Sequence, residues 1–274
     1  MISGELFQSL AQISFTSGYN DIINKQVSMI PQNVKVISEF PVSEIKNYKR
    51  IFIYSHDIIK FMDKFYDHLN DGTIILSHNS DIGVGPECLK YLEGTKISKW
   101  FGQNRSVSHP KLFSLPIGLA NSQWPHGNQQ VLNEKSSANN QKTYLVYKNF
   151  DIGTNYGKRM MVNEITNRNK IPMDSNRPFN EYIDILSKSC FVIAPPGNGV
   201  DCHRIWECLK LKTIPIVEYH ECFSQFTHLP ILFIDSWERI TPDFLRANVS
   251  MLDNFKTPLP ELDIEYWRNI ICTE

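Results

Sequence analysis

The stretch of the chain that decides the fold is Phe191-Val-Ile-Ala-Pro-Pro-Gly-Asn-Gly-Val-Asp-Cys-His-Arg-Ile-Trp-Glu-Cys-Leu209, followed by Thr213-Ile-Pro-Ile-Val217. Residues 191–194 are apolar without polar alternation, which is typical of a strand covered on both faces of a parallel sheet. Prolines and glycines end that strand, and a helix leads to the second apolar strand. This order predicts an α/β unit with a ligand site at the carboxyl end of the first strand.

The turn and the start of the helix carry groups that suit a nucleotide diphosphate. Gly197 and Gly199 let a ligand approach the backbone, and Asp201 is a suitable N-cap. Arg204 can hold two phosphate oxygens, and Glu207, three residues later, can accept ribose hydroxyls. The predicted binding residues here are Pro196, Gly197, Asn198, Gly199, Asp201, Arg204 and Glu207. The alternative is an ordinary strand–turn–helix in which Arg204 and Glu207 form a surface ion pair.

A second polar segment follows a predicted strand at 143–147 and adds Lys148, Thr154, Asn155 and Arg159. Thr154 and Asn155 are candidate caps of the next helix, and Arg159 is expected where the loop meets the ligand crevice. We expect Arg159 and Arg204 to neutralise the diphosphate together. The alternatives are a solvated helix residue for Arg159 and a surface charge for Lys148.

These residues resemble the signature of exostosin-type glycosyltransferases, in which a Pro-Gly or Arg-Gly turn precedes Asp, Arg and Glu and a later Pro-Ile-Val strand. Two further segments are similar to blocks of small exostosin-like transferases, including chlorovirus xylosyltransferase-like enzymes of large DNA viruses. They are Tyr144-Leu-Val-Tyr-Lys-Asn-Phe150 and Leu115-Pro-Ile-Gly-Leu-Ala-Asn-Ser-Gln-Trp-Pro-His-Gly127. The resemblance is specific over 143–220 and looser over 70–127. It implies a GT-B fold of two Rossmann-like domains facing a central cleft, with a UDP sugar such as UDP-xylose as donor.

Composition and charge favour small-molecule partners. The chain has 28 Lys plus Arg against 29 Asp plus Glu and no basic block, so the footprint of a nucleic-acid-binding protein is absent. We expect a nucleotide sugar and a glycan acceptor as partners. No long apolar run suggests a membrane span, and residues 1–6 do not resemble a signal peptide. The expected location is therefore the cytoplasm, including a host cytosol if the enzyme is viral.

The sequence predicts no metal and no other cofactor. Its 6 cysteines show no CxxC pair and no zinc pattern with histidine, so we interpret them as reduced packing residues. Asp-x-Asp, the metal motif of the other major glycosyltransferase architecture, does not occur. Phosphate charge would then be neutralised by arginine, lysine and helix dipoles.

Short apolar runs alternate with helical stretches, which predicts an α/β fold throughout. The polar run 133–142 resembles a linker, so we expect an acceptor-side Rossmann-like domain at 1–135 and a nucleotide-sugar domain at 136–274. The prediction includes the option that the last helix packs back on the first domain. Predicted strands lie at 34–37, 50–54, 73–77, 98–102, 112–116, 143–147, 190–194, 213–217 and 231–234. Predicted helices lie at 58–69, 157–167, 180–189, 202–211, 242–254 and 260–272.

The first domain is expected to supply the catalytic base. The loop 77–81 directly follows an apolar strand, and the carboxyl end of a strand is where such sheets place their chemistry. We predict Asp81 as base and His78 as its helper or a donor contact, with the reverse assignment open. An Asx-turn that only shapes the loop is the alternative, and His56-Asp57 is a competing pair.

Weaker candidates for acceptor or sugar contacts are Asn121, Trp124 and His126, with Trp124 as a stacking platform. The missing Asp-x-Asp motif favours a metal-independent reaction, and the resemblance implies inverting transfer to a glycan hydroxyl. A retaining mechanism would not require Asp81 as base. The alternative function is a non-catalytic module that binds a nucleotide sugar or a glycan. An oxidoreductase is disfavoured because Pro-Pro-Gly-Asn-Gly lacks GxGxxG spacing.

Overall fold

The chain folds into two compact units, and the computed structural model describes residues 1–18, 34–138, 140–174 and 177–273. Met1–Ile117 and Asp263–Glu274 form the first unit, and Gly118–Leu262 forms the second. The division falls at Gly118 instead of near residue 135. Gly118 has a φ of 67°, a left-handed conformation that glycine adopts without strain.

The bounds of the elements follow in chain order. The α-helices are α1 (Gly4–Gln8), α2 (Ile58–Phe65), α3 (Gln129–Ser137), α4 (Tyr156–Arg168), α5 (Phe179–Ser187), α6 (His203–Lys210), α7 (Pro242–Ala247) and α8 (Ile264–Cys272). The strands are β1 (Ile13–Thr16), β2 (Val34–Val36), β3 (Arg50–Tyr54), β4 (Thr73–His78), β5 (Ile97–Gly102), β6 (Leu112–Ser114), β7 (Tyr144–Tyr147), β8 (Ser189–Ile193), β9 (Ile214–Glu218) and β10 (Leu232–Ile234). Short 3-10 helices lie at Val42–Asn47, Ser55–Asp57, Tyr66–His68, Pro86–Tyr91, Pro125–Gly127, Ile152–Asn155, Glu221–Phe226, Trp237–Arg239, Val249–Leu252 and Pro260–Leu262.

The first unit is built on a parallel sheet in the order β2-β1-β3-β4-β5-β6. Every residue of β4 is buried, because parallel sheets are covered on both faces. The core cluster on one face includes Phe15, Ile53 and Ile75 from the sheet and Phe61 and Phe65 from α2. The spacing of Phe61 and Phe65, four residues apart, places both aromatic rings on the buried side of α2.

The last helix belongs to the first unit. Phe7 of α1 lies edge-on to Trp267 of α8, with ring centroids 5.6 Å apart. Ile271 of α8 is buried as well. The carboxylate of Asp263 caps this helix by accepting a hydrogen bond from the amide of Glu265 at 3.1 Å. The last helix thus packs on α1, in the N-terminal part of the chain.

The second unit is built on a parallel sheet in the order β10-β9-β8-β7. Its core cluster includes Phe191 and Ile193 of β8, Ile214 and Ile216 of β9, and Val162 of α4. The buried strand, turn, helix and strand that the sequence predicts around residue 197 are present as β8, α6 and β9. The α/β class with parallel sheets is therefore confirmed.

The predicted linker 133–142 is partly structured, apart from residue 139, which lies outside the described residues. Its start belongs to α3, and Lys135 of α3 forms an ion pair with Asp184 of α5. Lys142 donates to the carbonyls of Ser187 and Leu211 at 2.8 and 3.2 Å, at the ends of α5 and α6. The ammonium of Lys142 thus stabilises two helix C-termini. The polar sequence of the segment reflects this role.

Other boundaries differ from the prediction for local reasons. Strand β1 is absent from the predicted set because a four-residue run with two hydroxyl side chains gives a weak apolar signal. Helix α2 ends at Phe65 and continues as a 3-10 turn, and a 3-10 turn also begins at Val249, one residue after the end of α7. These ends show the tightening that is common in the last turn of a helix.

Candidate functional site

The turn between β8 and α6 lies at the carboxyl end of a strand, as predicted. Helix α6 begins after Cys202, which is its N-cap residue, and no side chain caps it. The prediction that Asp201 caps the helix is wrong. Its buried carboxylate instead accepts hydrogen bonds from the indole Nε1 of Trp206, at 2.8 and 3.0 Å. Asp201 therefore fixes the turn against the core of the unit.

Arg159 holds the turn between β8 and α6 through hydrogen bonds to backbone carbonyls. Its guanidinium donates from Nε to the carbonyl of Pro196 at 3.0 Å and from Nη1 to the carbonyl of Asp151 at 2.7 Å. Burial lowers the pKa of Arg159, and the charge of Arg204 lowers it further. Arg159 uses much of its donor capacity on the backbone, and its part in neutralising a diphosphate together with Arg204 stays a prediction.

Gly197 packs closely against Arg159. A Cβ at Gly197 would lie 3.0 Å from Nη2 of Arg159. Asn155 donates from Nδ2 to the carbonyl of Gly197 at 2.8 Å, so it holds the turn, and it does not cap α4 with its side chain. Thr154 donates to the carbonyl of Asp151, while Asn198 is exposed in the turn.

Arg204 is the most unusual group of the turn. Its Nε is buried and has no hydrogen-bond partner among the described residues. Its guanidinium lies over the ring of Tyr182, 5.9 Å from the centroid. An unpaired buried donor costs free energy and is rare in native proteins. The position of this donor is explained if an anionic ligand supplies the missing acceptors.

Glu207 lies one turn later on α6 and is only 4% exposed. Its Oε2 accepts a hydrogen bond from the hydroxyl of Tyr182 at 2.8 Å. Burial raises the pKa of Glu207, although Arg204 and the Tyr182 hydroxyl act in the opposite direction. No ion pair joins Arg204 and Glu207 within 4.0 Å in the part of the chain that the structure describes, so the alternative of a surface ion pair does not apply.

Two groups of this site escaped the sequence analysis. Tyr182 comes from α5, 25 residues before Glu207, and no local pattern marks it. His203 is the first residue of α6, and its Nδ1 lies 2.8 Å from the carbonyl of Gly118. Its position inside the quoted motif, beside Arg204, was the signal that could have identified it.

The weaker candidates lie near the start of α6. The ring of His126 is 6.2 Å from that of His203, and Trp124 stacks on His126 with an interplanar angle of 15°. Trp124 is 46% exposed. Asn121 accepts a hydrogen bond from the amide of Trp124 through its carbonyl, so it shapes this segment. An exposed aromatic pair is therefore available beside the first turn of α6.

Lys148 lies apart from the other predicted ligands. Its buried ammonium donates to Oγ1 of Thr166 at 3.0 Å and to Oδ1 of Asn167 at 2.7 Å, both on α4. Burial lowers the pKa of Lys148 to about 8. The side chain is therefore committed to the interior of the second unit.

In the first unit, His78 is the last residue of β4 and is 1% exposed. Its Nδ1 accepts from the amide of Asn79 at 2.7 Å, and its Nε2 lies 3.0 Å from the carbonyl of Pro116. Burial lowers the pKa of His78 to about 4. Both ring nitrogens are occupied, so this geometry does not support His78 as a proton acceptor or as a donor contact.

Asp81 is exposed in the loop after β4, and its carboxylate makes no hydrogen bond to the described residues. Its backbone carbonyl accepts from Nδ2 of Asn104 at 3.2 Å, which anchors the loop. The carboxylate is thus accessible, although it does not contact His78 as a dyad would. Its catalytic role stays a prediction.

The competing pair His56-Asp57 occupies a topological switch point, because β1 lies between β2 and β3 in the sheet. Oδ2 of Asp57 accepts from the amide of Ser17 at 2.6 Å and lies 3.2 Å from Nε2 of His56. Burial would raise the pKa of Asp57, but the hydrogen bonds from His56 and Ser17 outweigh it and lower the pKa to about 2. This carboxylate therefore stays ionised and orients His56.

Two further features of the described residues concern the requirements of a metal site and of a membrane span. Within the described ranges, no group of three or more His, Cys, Asp or Glu side chains is arranged to hold a metal ion. Over the same ranges, no helix has both the length and the apolar character needed to cross a membrane.

Comparison with known proteins places the second unit in context. Residues 138–258 match the family model described as the RXYLT1 C-terminal domain. The matched segment lies within the second unit. It contains Arg159, Tyr182, Arg204 and Glu207, whereas the candidate base residues lie outside the match. No curated protein matches the chain in sequence.

Two solved structures are distantly similar. The UDP-GlcNAc 2-epimerase of Methanocaldococcus jannaschii shares 9% identity, with 92% of this chain and 87% of the other covered and a TM-score of 0.40. AviGT4, a glycosyltransferase involved in avilamycin A biosynthesis, shares 9% identity, with 96% and 99% covered and a TM-score of 0.35. Likenesses at this level do not bear on the site, and the likeness to viral transferases stays a prediction.

Proposed function

We propose that this protein transfers a sugar from a UDP sugar, with UDP-xylose as one candidate, to a hydroxyl group of a glycan acceptor. The observation that carries the proposal is the buried Nε of Arg204, which has no hydrogen-bond partner in the described part of the chain. It lies beside a glycine-rich turn and one helical turn before the buried Glu207. The glycosyltransferase-like match over residues 138–258 supports it.

The groups around the turn suit the parts of a nucleoside diphosphate. Arg204 presents a planar fork that can donate to two phosphate oxygens. Glu207 has one oxygen held by Tyr182, and its other oxygen can accept from the ribose hydroxyls. Arg159 keeps the turn in shape and adds positive charge next to Arg204. Binding would therefore supply an acceptor for Nε of Arg204, which has no hydrogen-bond partner among the described residues.

In the proposed inverting reaction, the base takes the proton of the acceptor hydroxyl while that oxygen forms a bond to the anomeric carbon. The bond from the anomeric carbon to the diphosphate oxygen breaks, and UDP leaves with the electron pair. Negative charge grows on the leaving diphosphate, where Arg204 is placed to stabilise it more in the transition state than in the ground state. We propose that this step needs no metal ion.

For the base we propose Asp81, because its carboxylate is exposed and accessible. If Asp81 is not the base, the His56-Asp57 pair takes its place, since Asp57 orients the imidazole and stays ionised. Each would remove the acceptor proton by general base catalysis.

Calorimetric titration of the protein with UDP, GDP and dTDP, each with and without EDTA, tests the donor assignment. We expect saturable binding of UDP that survives EDTA. Proton NMR of the product formed from a UDP sugar then gives the anomeric configuration, and inversion is expected. Absence of binding by all three nucleotides would remove the proposal, whereas binding without turnover would favour the non-catalytic module.

A further inference from the structure

Tyr182 contacts both Glu207 and Arg204, the two residues that we assign to binding of the nucleotide sugar. Its hydroxyl donates to Oε2 of Glu207 at 2.8 Å, and its ring lies under the guanidinium of Arg204 at 5.9 Å. It reaches them from α5, whereas Arg204 and Glu207 are both on α6. One side chain thus links the two parts of the candidate site.

We propose that Tyr182 is a positioning residue that sets the Glu207 carboxylate for the ribose and the Arg204 guanidinium for the diphosphate, an inference that rests on the proposed function. The hydroxyl fixes one carboxylate oxygen and leaves the other for the ligand. The ring supports Arg204 without consuming any of its five N–H donors, so that all of them remain for phosphate oxygens.

Stability alone explains this cluster poorly. A buried glutamate beside a half-buried arginine and tyrosine costs desolvation energy, and apolar residues of similar volume would often be as stable. Here the Tyr182 hydroxyl satisfies one oxygen of Glu207, but Nε of Arg204 has no hydrogen-bond partner among the described residues. An arrangement that holds a guanidinium in place but leaves its buried donor unsatisfied is expected of a prepared binding site.

The proposal predicts different effects on different ligands. Tyr182→Phe keeps the ring under Arg204 and removes only the hydrogen bond to Glu207. Tyr182→Phe should therefore weaken UDP binding by about tenfold, which is the effect of losing one hydrogen bond to a charged group. Inorganic pyrophosphate should bind to this variant as tightly as to the parent. Tyr182→Leu removes the ring as well and should weaken the binding of both ligands.

The pH dependence provides a readout that a purely structural role would not move. The titratable groups that face Glu207 are Arg204 and Cys208 on α6 and Tyr182 on α5. The Tyr182 hydroxyl is one of the contacts that lower the pKa of Glu207, so its removal should raise that pKa. Because the ribose needs the carboxylate, UDP affinity should then be lost at a higher pH on acidification in Tyr182→Phe than in the parent.

The experiment is calorimetric titration of the parent, Tyr182→Phe and Tyr182→Leu with UDP and with pyrophosphate between pH 5 and 8. Tyr91→Phe is the matched control, because the hydroxyl of Tyr91 donates to a carboxylate oxygen of Asp63 at 3.0 Å in the first unit. Its UDP affinity and pH midpoint should equal those of the parent.

The possible results distinguish a failure of the role of Tyr182 from a failure of the proposed function. A selective loss of UDP affinity with a raised pH midpoint in Tyr182→Phe supports the inference. Parent-like affinity and midpoint in that variant overturn it and leave the proposed function standing. If the parent itself binds neither UDP nor pyrophosphate, the proposed function fails, and the role of Tyr182 fails with it. Thermal melting of each variant identifies any change in folding.

Discussion

Replacing Arg204 with lysine separates the binding role of this residue from its effect on stability. Arg204→Lys keeps the positive charge beside Glu207 but exchanges a planar fork for a single ammonium. Losing one hydrogen bond to a phosphate oxygen costs about 1.5–3 kcal/mol, which corresponds to an increase of about 10- to 100-fold in the dissociation constant of UDP.

The free protein should respond in the opposite direction. The buried Nε of Arg204 has no partner among the described residues, and an unsatisfied donor costs about 1–3 kcal/mol. Lysine has no donor at that position, so the unliganded variant should be as stable as the parent or more stable by about 1 kcal/mol. Urea unfolding without ligand measures this term, and calorimetry with UDP measures the affinity.

Arg239→Lys is the matched control, because Arg239 also lies over an aromatic ring, that of Phe244 at 5.5 Å, and pairs with Asp235. It should leave UDP affinity unchanged. The reasoning is refuted if Arg204→Lys binds UDP as tightly as the parent. It is also refuted if the free variant loses several kcal/mol of stability, since Arg204 would then be a structural residue.

Four further predictions follow from individual groups. Glu207→Gln should lose about 1.5–3 kcal/mol of UDP affinity by calorimetry, and a 2′,3′-dideoxy nucleotide should bind mutant and parent equally. Sugar transfer should survive EDTA, and activity that returns only with Mn²⁺ would contradict the metal-independent proposal. Asp81→Asn should bind UDP normally but transfer sugar about 10² to 10⁴ times more slowly; parent-like transfer would direct the search to His56 and Asp57. For Lys148 the folded pKa of about 8 lies below the ordinary 10.5, so the cost of burying its charge is present below pH 8 and disappears as the pH rises to 10.5. Urea unfolding should therefore show the parent gaining up to ~3 kcal/mol relative to Lys148→Met across that range, and a constant difference would show that the ammonium is not desolvated.

The local parts of the site could be predicted from sequence. The turn at Gly197 and the placement of Arg204 and Glu207 on one face of α6 depend on neighbouring residues and helical spacing, and both are present. Arg159 was predicted to lie where the loop meets the ligand crevice, but its hydrogen bond to the carbonyl of Pro196 in the turn was not predicted.

What sequence could not show depends on partners that are distant along the chain. Asp201 looked like an N-cap, but the indole of Trp206 takes its carboxylate. His78 looked like part of a loop, yet it is the buried last residue of β4, held by the carbonyl of Pro116. Tyr182 gave no signal, because its role arises only from the packing of α5 against α6.

The most direct test of the central claim is an assay of UDP release. The purified protein is incubated with a panel of UDP, GDP and dTDP sugars and glycan acceptors, and free nucleotide and glycosylated product are quantified together. The account predicts that UDP appears in step with glycosylated product for at least one UDP sugar, and that Arg204→Lys reduces both equally. Absence of nucleotide release and of product from every sugar of the panel, by protein that is folded, would contradict it.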